Sequence, residues 1–290
     1  MYAHIRNTKI YFDIDGVGDE IVDGKLKHRP TIFLLHGGPG ANHRGYKSQL
    51  GELTDTAQLI YVDHRGNGES CREHPETWSM ESHVEDIEAL RQHLGLEKIA
   101  MHGGSYGGMV AMNYGAKYSQ HLSALSLAVT APSYRFMDKA KTYLAEHATP
   151  EQLRICEKLW QGSFKSDDEI REYYRLLGPM YGKTFDVKKF EENWQPGLYN
   201  YEALNVAFAG YLREFDVTEQ LGNITCPTLV LGAAGDWICP PEFSHEIARC
   251  IPHADLKIFD DCGHSIGSDQ KQLQLTALRS FFAAVTQNQI

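Results

Sequence analysis

Short, nearly unbroken apolar runs recur along this chain, separated by stretches whose apolar positions keep helical spacing. Residues 31–35, 58–63, 98–102, 123–130, 228–232 and 256–260 carry the short pattern. Runs with so little polar alternation suit strands covered on both faces. Between two of them, Val84, Ile87, Leu90 and Leu94 share one helical face. Ser82 and Glu85 read as a capping box before that helix, and Gly95 closes it. A last helical stretch covers residues 273–285. The chain opens differently. Ile5–Asp15 and Ile21–Lys27 read as two antiparallel strands joined by the turn Asp15-Gly-Val-Gly. Strands alternating with helices predict an α/β fold with a mostly parallel central sheet flanked by helices. The rhythm breaks over residues 131–215, which lack a buried-strand run, read as several helices and hold half of the chain's aromatic residues. This predicts a core in two parts, 1–130 and 216–290, with a helical cap inserted between them.

The chemistry is concentrated where predicted strands end. Gly103-Gly-Ser105-Tyr-Gly107 lies between a strand and a helix, the setting in which Gly-x-Ser-x-Gly makes a nucleophile elbow. A serine hydroxyl is a weak nucleophile until a base takes its proton, and that base needs an orienting carboxylate. In an elbow fold these partners follow the serine in the order acid, then histidine. Asp236 follows the run 228–232, and His264 follows the run 256–260. Both fall at the carboxyl edge of a parallel sheet, where the elbow also sits. An aspartate in front of a helix also serves as a cap, so order alone does not separate the two roles. The developing oxyanion requires two donors. Tyr106 supplies one backbone N–H, and Gly38 in His36-Gly-Gly-Pro-Gly40 is the choice for the other. Asp63-His-Arg-Gly-Asn-Gly-Glu-Ser70 reads as a rigid loop bracing the floor of the site, held by its two glycines and an Arg–Asp pair.

Composition narrows the partners. A net charge of −10 with no basic run argues against nucleic acid and anionic membrane. Met1–Arg6 shows no basic segment followed by an apolar core, and no apolar run is long enough to span a bilayer, so a cytoplasmic protein is expected. Six scattered cysteines form no Cys-x-x-Cys pair and read as reduced thiols; Cys239 and Cys262, near Asp236 and His264, read as small core residues. None of the 14 histidines has metal-ligand spacing, so neither metal nor cofactor is expected.

Together these motifs resemble the α/β-hydrolase superfamily, and within it the proline iminopeptidase family of serine peptidases. The matching pieces are His36–Gly40, Asp63–Ser70, Gly103–Gly108, Gly235-Asp236 and Cys262-Gly-His264, spread over about residues 30–270. The resemblance implies an α/β-hydrolase fold with a helical cap, a Ser105–His264–Asp236 triad and an oxyanion hole from Gly38 and Tyr106. It also implies that members cleaving an N-terminal residue hold its ammonium with glutamates, one in the last cap helix and one beside the triad aspartate. Here Trp237 follows Asp236, and Asn205 occupies the other position. Both are read as part of the substrate pocket, with Glu202 and Glu214 left as surface residues. The expected activity is cleavage of a small ester or amide through an acyl-enzyme, on a small-molecule or short-peptide substrate. A proline iminopeptidase proper, a lactonase, a lyase using the serine–histidine pair as a base, and a non-catalytic ligand receptor are the alternatives.

Overall fold

The computed structural model describes the backbone of residues 1–287. In chain order its strands are β1 (Tyr2–Ile5), β2 (Thr8–Asp15), β3 (Asp19–Val22), β4 (Lys25–His28), β5 (Thr31–Leu35), β6 (Gln58–Val62), β7 (Ile99–Gly104), β8 (Leu122–Ala128), β9 (Thr228–Ala233) and β10 (Ala254–Phe259). Eight of them form one sheet in the order β1-β2-β6-β5-β7-β8-β9-β10. All pairs from β6 to β10 are parallel, and β1–β2 and β2–β6 are antiparallel.

The continuous apolar pattern follows from cover on both faces. Every residue of β7 and β9 is buried. Phe33, Leu35 and Met101 face a core built with helices α2 (Met80–His93), α3 (Tyr106–Tyr118) and α9 (Pro241–Cys250). The intervening Ile32, Leu34 and Ala100 face a second core, closed by α1 (Arg44–Leu50) and α11 (Lys271–Gln287). After β5 the chain runs to β6 on one side, then crosses to β7 on the other. The carboxyl ends of β5 and β7 therefore lie side by side at a topological switch point, where such sheets form a crevice.

Two local expectations change. The opening is not one pair of long strands. Arg6 and Asn7 both have positive φ, the signature of a tight hairpin turn, so residues 2–15 fold back as β1–β2. A second such turn at Asp23-Gly24 makes β3–β4 a separate two-stranded sheet. The N-cap of α2 is Ser79, not Ser82: its Oγ accepts from the Ser82 N–H, and Ser82 already lies inside the helix. At the other end, Gly95 with φ +67 donates to the Gln92 carbonyl while Leu96 donates to Arg91, the Schellman arrangement of a glycine stop.

Between β8 and β9 the chain forms α4 (Arg135–His147), α5 (Pro150–Gln161), α6 (Asp167–Tyr181), α7 (Val187–Asn193) and α8 (Tyr201–Ala209). A single antiparallel bridge, Ser133 to Asp216, ties the two ends of this excursion together. A short helix, α10 (Ile266–Asp269), precedes α11. Among the described residues, no helix is long and apolar enough to cross a membrane.

Candidate active site

The turn from β7 into α3 is as tight as a chain allows. Ser105 sits at φ 53°, ψ −122°, a conformation that L-residues adopt only when the surroundings enforce it. Four hydrogen bonds do so: Ser105 N–H donates to the Ala128 carbonyl at 2.9 Å, and the Ser105 carbonyl accepts from Gly108 N–H, Met109 N–H and the Thr130 hydroxyl. The flanking glycines are required by contact. A Cβ on Gly107 would overlap the Leu35 carbonyl oxygen, and one on Gly103 would overlap that of Gly107.

Ser105 is hydrogen-bonded to a histidine delivered by the loop after β10. His264 Nε2 lies 2.9 Å from Ser105 Oγ, and its Nδ1 lies 2.8 Å from Asp236 Oδ2. The Nδ1–H donates to the carboxylate, which leaves Nε2 free to accept the serine proton. Asp236 is buried, and its other oxygen accepts from Ile238 N–H at 2.9 Å and Cys239 N–H at 3.0 Å. One carboxylate thus both closes the turn ahead of α9 and orients the imidazole. The edge of the Tyr181 ring packs on His264, with centroids 5.6 Å apart.

The loop after β5 approaches from the other side. A Cβ on Gly37 would come within 3.2 Å of Ser105 Cβ, so this backbone lies against the nucleophile. His36 Nε2 accepts from His64 N–H at 3.3 Å, which makes Nδ1 the donor to the Gly37 carbonyl at 2.9 Å. Because the peptide is planar and trans, turning that carbonyl toward His36 turns the Gly38 N–H away from it. Gly38 has φ +58, and the Tyr174 hydroxyl of α6 lies beside it. Tyr106 is the first residue of α3, so its N–H is among the four that a helix leaves unpaired at its start.

The 63–70 loop braces this backbone, though not by the expected pair. Arg65 binds Asp86 of α2, at 2.7 and 2.8 Å, rather than Asp63. Asp63 is fully buried and accepts backbone N–H groups from His43 and Glu69 together with His43 Nδ1. Burial favours the neutral acid, but the hydrogen bond from His43 and the neighbouring imidazoles outweigh it and hold the carboxyl below its ordinary range. Asn67 Oδ1 accepts from Gly40 N–H at 2.5 Å, which links the two loops.

A row of buried, mutually tilted imidazoles that begins at His36 was not foreseen. His36, His64 and His83 lie with ring centroids 4.6 and 5.2 Å apart along the row. Burial pushes all three down, His83 to about 3, so they are neutral at physiological pH. His83 Nδ1 pairs with the Tyr106 hydroxyl at 2.5 Å, and that hydroxyl meets Tyr211 at 2.8 Å. His36 and His64 could be read from the motifs they sit in. Nothing in the sequence pointed to His83 beyond its place near the start of a helix.

A cavity of about 320 Å³ opens over Ser105 and His264. Leu159, Trp160, Tyr173, Tyr181 and Phe208 of the inserted helices form much of its wall, together with Trp237. Among the described residues, no aspartate, glutamate, lysine or arginine lines it. Trp237 is among the residues lining it. Asn205 is not: its side chain accepts from Phe164 N–H and donates to the Phe164 carbonyl, stitching the loop between α5 and α6 outside the cavity. Glu202 and Glu214 are exposed. Cys239 and Cys262 are fully buried, and burial raises both thiols, Cys262 to about 12. Among the described residues no cluster of metal-ligating side chains occurs.

Residues 30–270 match the family described as the alpha/beta hydrolase fold. A proline iminopeptidase, PfmaB of Pestalotiopsis fici, is 34% identical over 87% of this chain and 91% of its own length. The chain is an α/β hydrolase of the proline iminopeptidase-like family. A proline iminopeptidase of Lactobacillus helveticus is 29% identical over 83% of this hydrolase and 85% of its own length. Among solved structures, a thermophilic esterase from Thermogutta terrifontis superposes with TM-score 0.74 at 27% identity, covering 96% of this chain and 94% of its own. The proline iminopeptidase of Mycobacterium smegmatis reaches TM-score 0.79 over 100% and 99% of the two chains, at 16% identity, which speaks for the fold alone.

Proposed function

We propose that this hydrolase cleaves a neutral, partly apolar ester or related acyl compound through an acyl-enzyme on Ser105. In this reading Ser105 Oγ attacks the substrate carbonyl as His264 Nε2 takes its proton. Asp236 stabilises the imidazolium, which returns the proton to the leaving group. The Gly38 and Tyr106 N–H groups receive the oxyanion, and residues 131–215 act as the cap that excludes bulk water. Trp237 adds to the aromatic wall of that pocket.

One observation carries the choice of substrate class: the cavity wall holds no carboxylate. A free N-terminal ammonium drawn into such a site would be desolvated without a counter-charge, a loss of about 3–5 kcal/mol. The names of the relatives described above favour a proline iminopeptidase, so the decisive comparison is between the two. Kinetics on a nitrophenyl ester of a neutral aromatic acid, on proline arylamide and on its N-acetyl form should rank the ester at least about 100-fold above the free amine in kcat/KM. N-acetylation should not lower turnover of the arylamide, and Ser105→Ala should abolish every activity. A clear preference for the free amine would restore the peptidase.

A further inference from the structure

One inserted helix, α6, touches both halves of the catalytic machinery. Tyr174 and Tyr181 stand about two helical turns apart and so share one face of it. Tyr181 packs on His264. Tyr174 reaches the loop after β5, where its hydroxyl oxygen lies 3.3 Å from the place a Cβ on Gly38 would occupy. The helix is fixed where these contacts are made. The Tyr181 carbonyl accepts from Ser265 N–H at 2.9 Å. Asp269 accepts from Gly263 N–H with one oxygen and from the Thr184 N–H and hydroxyl with the other, each at 3.0 Å. The Tyr174 ring is held among Tyr173, Tyr181 and Tyr199, with centroids 5.3, 6.2 and 5.7 Å away. Its hydroxyl, however, is uncommitted. Those of Tyr173 and Tyr181 bond to each other at 2.6 Å, whereas that of Tyr174 has no hydrogen-bond partner among the described residues. Tyr174 lines the cavity, is only partly buried, and its oxygen is not one of the sealed, unpaired polar atoms of the interior. The Gly38 N–H likewise has no partner among the described residues. Bond geometry sets the amide nitrogen and Cβ of one residue about 2.5 Å apart, so this hydroxyl is within about 6 Å of the Gly38 nitrogen. An N–H···O and an O–H···O bond to one shared oxygen together span up to about 6 Å, so a single substrate oxygen can accept from both. Burial pushes the Tyr174 phenol above its ordinary range, which keeps it protonated and a donor.

We propose that Tyr174 is a third donor to the oxyanion, supplied by the inserted helices. The inference rests on the acyl-enzyme reading above and its Gly38–Tyr106 hole. As the bond from Ser105 Oγ to the substrate carbon forms, the carbonyl π pair moves onto oxygen and the serine proton goes to His264 Nε2. The Tyr174 O–H donates to that oxygen and keeps its own proton. When the leaving group departs with the proton from His264, the pair returns and the carbonyl re-forms. Water attack on the acyl-enzyme builds the same charge on the same oxygen. A donor that strengthens as charge develops acts on kcat rather than on ground-state binding.

Tyr174→Phe tests it, because the change removes an oxygen with no protein partner and leaves the ring in place. On a neutral nitrophenyl ester kcat should fall by at least about tenfold, with KM within about twofold and Tm unchanged. A trifluoromethyl ketone built on the same acid, which takes up Ser105 Oγ as a charged hemiketal, should bind at least about tenfold more weakly, while the matching secondary alcohol binds as before. Replacing the carbonyl oxygen by sulfur, a poorer acceptor, gives a readout that a structural defect would not move. The ratio of kcat/KM for ester over thionoester should drop at least about fivefold in the variant. Unchanged kcat and ketone affinity, or equal losses on ester and thionoester, overturns the third donor. If fluorine NMR shows no hemiketal on wild-type enzyme, or the same hemiketal in Ser105→Ala, the acyl-enzyme reading itself fails, and this inference with it.

Discussion

Tyr106 shows how backbone and side chain at one position do separate work. Its N–H is one of the unpaired amides at the start of α3, while its hydroxyl points into the protein, between His83 and Tyr211. Removing that hydroxyl strands two buried polar atoms at a cost of about 1–3 kcal/mol. Tyr106→Phe should therefore lower Tm by a few degrees, read by calorimetry, yet leave kcat on a neutral ester within about twofold. A large loss of kcat at unchanged Tm would place the hydroxyl in the reaction instead. The same residue marks the limit of sequence reading. That Ser105, Asp236 and His264 would meet was legible because strand, turn and chain order constrain where these three residues stand, and hydrogen bonds join them. The partner of the Tyr106 hydroxyl was not, because three-dimensional neighbours 23 and 105 positions away leave no local pattern. Asn205 failed for a related reason. A residue's place on a helix can be read from spacing, but whether its amide turns to the cavity or to a neighbouring loop depends on the packing of a second helix.

At the scale of elements, α2 and α3 are joined by a buried acid that the reaction does not use. Glu88 accepts from Arg91 at 2.6 and 2.9 Å, from Gln92 at 2.8 Å and from Tyr114 of α3 at 2.8 Å. Burial alone would raise this carboxyl, but those hydrogen bonds outweigh it and hold it at about 2. A carboxyl depressed on folding binds its proton more readily when unfolded. Its stabilising contribution is complete above about pH 4.5 and drains away as pH falls toward 2. Urea titrations between pH 7 and pH 2.5 should show Glu88→Gln less stable than wild type at pH 7, with the gap narrowing through this acid window. A gap independent of pH would mean the loss is one of packing. Sequence periodicity found α2 and its glycine stop but set its start three residues late. Ser79 and Ser82 both suit an N-cap, and only the observed bond from Ser82 N–H to Ser79 Oγ separates them. The first 28 residues misled for a different reason. Arg6 takes a positive-φ turn position where glycine, asparagine or aspartate is usual, and the Asp23-Gly24 turn signal lies inside a stretch that reads as one continuous strand, so two hairpins were read as one.

Across the whole molecule, a net-acidic chain surrounds a cavity whose wall carries no formally charged side chain among the described residues. The chain carries a net charge of −10, while the cavity wall has no carboxylate, lysine or arginine. The near field at Ser105 therefore comes from dipoles and the triad, and the far field from the surface. These two ranges respond differently to salt, because ions screen exposed charges beyond roughly 30 Å at 0.01 M and roughly 8 Å at 0.15 M. Three esters of equal size, one neutral, one carrying a remote carboxylate and one a remote quaternary ammonium, separate them. Between 0.01 M and 0.15 M salt, kcat/KM for the neutral ester should stay flat, while that for the anionic ester rises and that for the cationic ester falls, each by a few-fold. Values of kcat should barely move for any of the three, since the bound ester at Ser105 is buried from the mobile ions that screen the surface charge. If the cationic ester instead kept a salt-independent advantage in kcat/KM, an acid would have to stand within reach of Ser105. The neutral cavity, and the substrate class argued from it, would then be untenable.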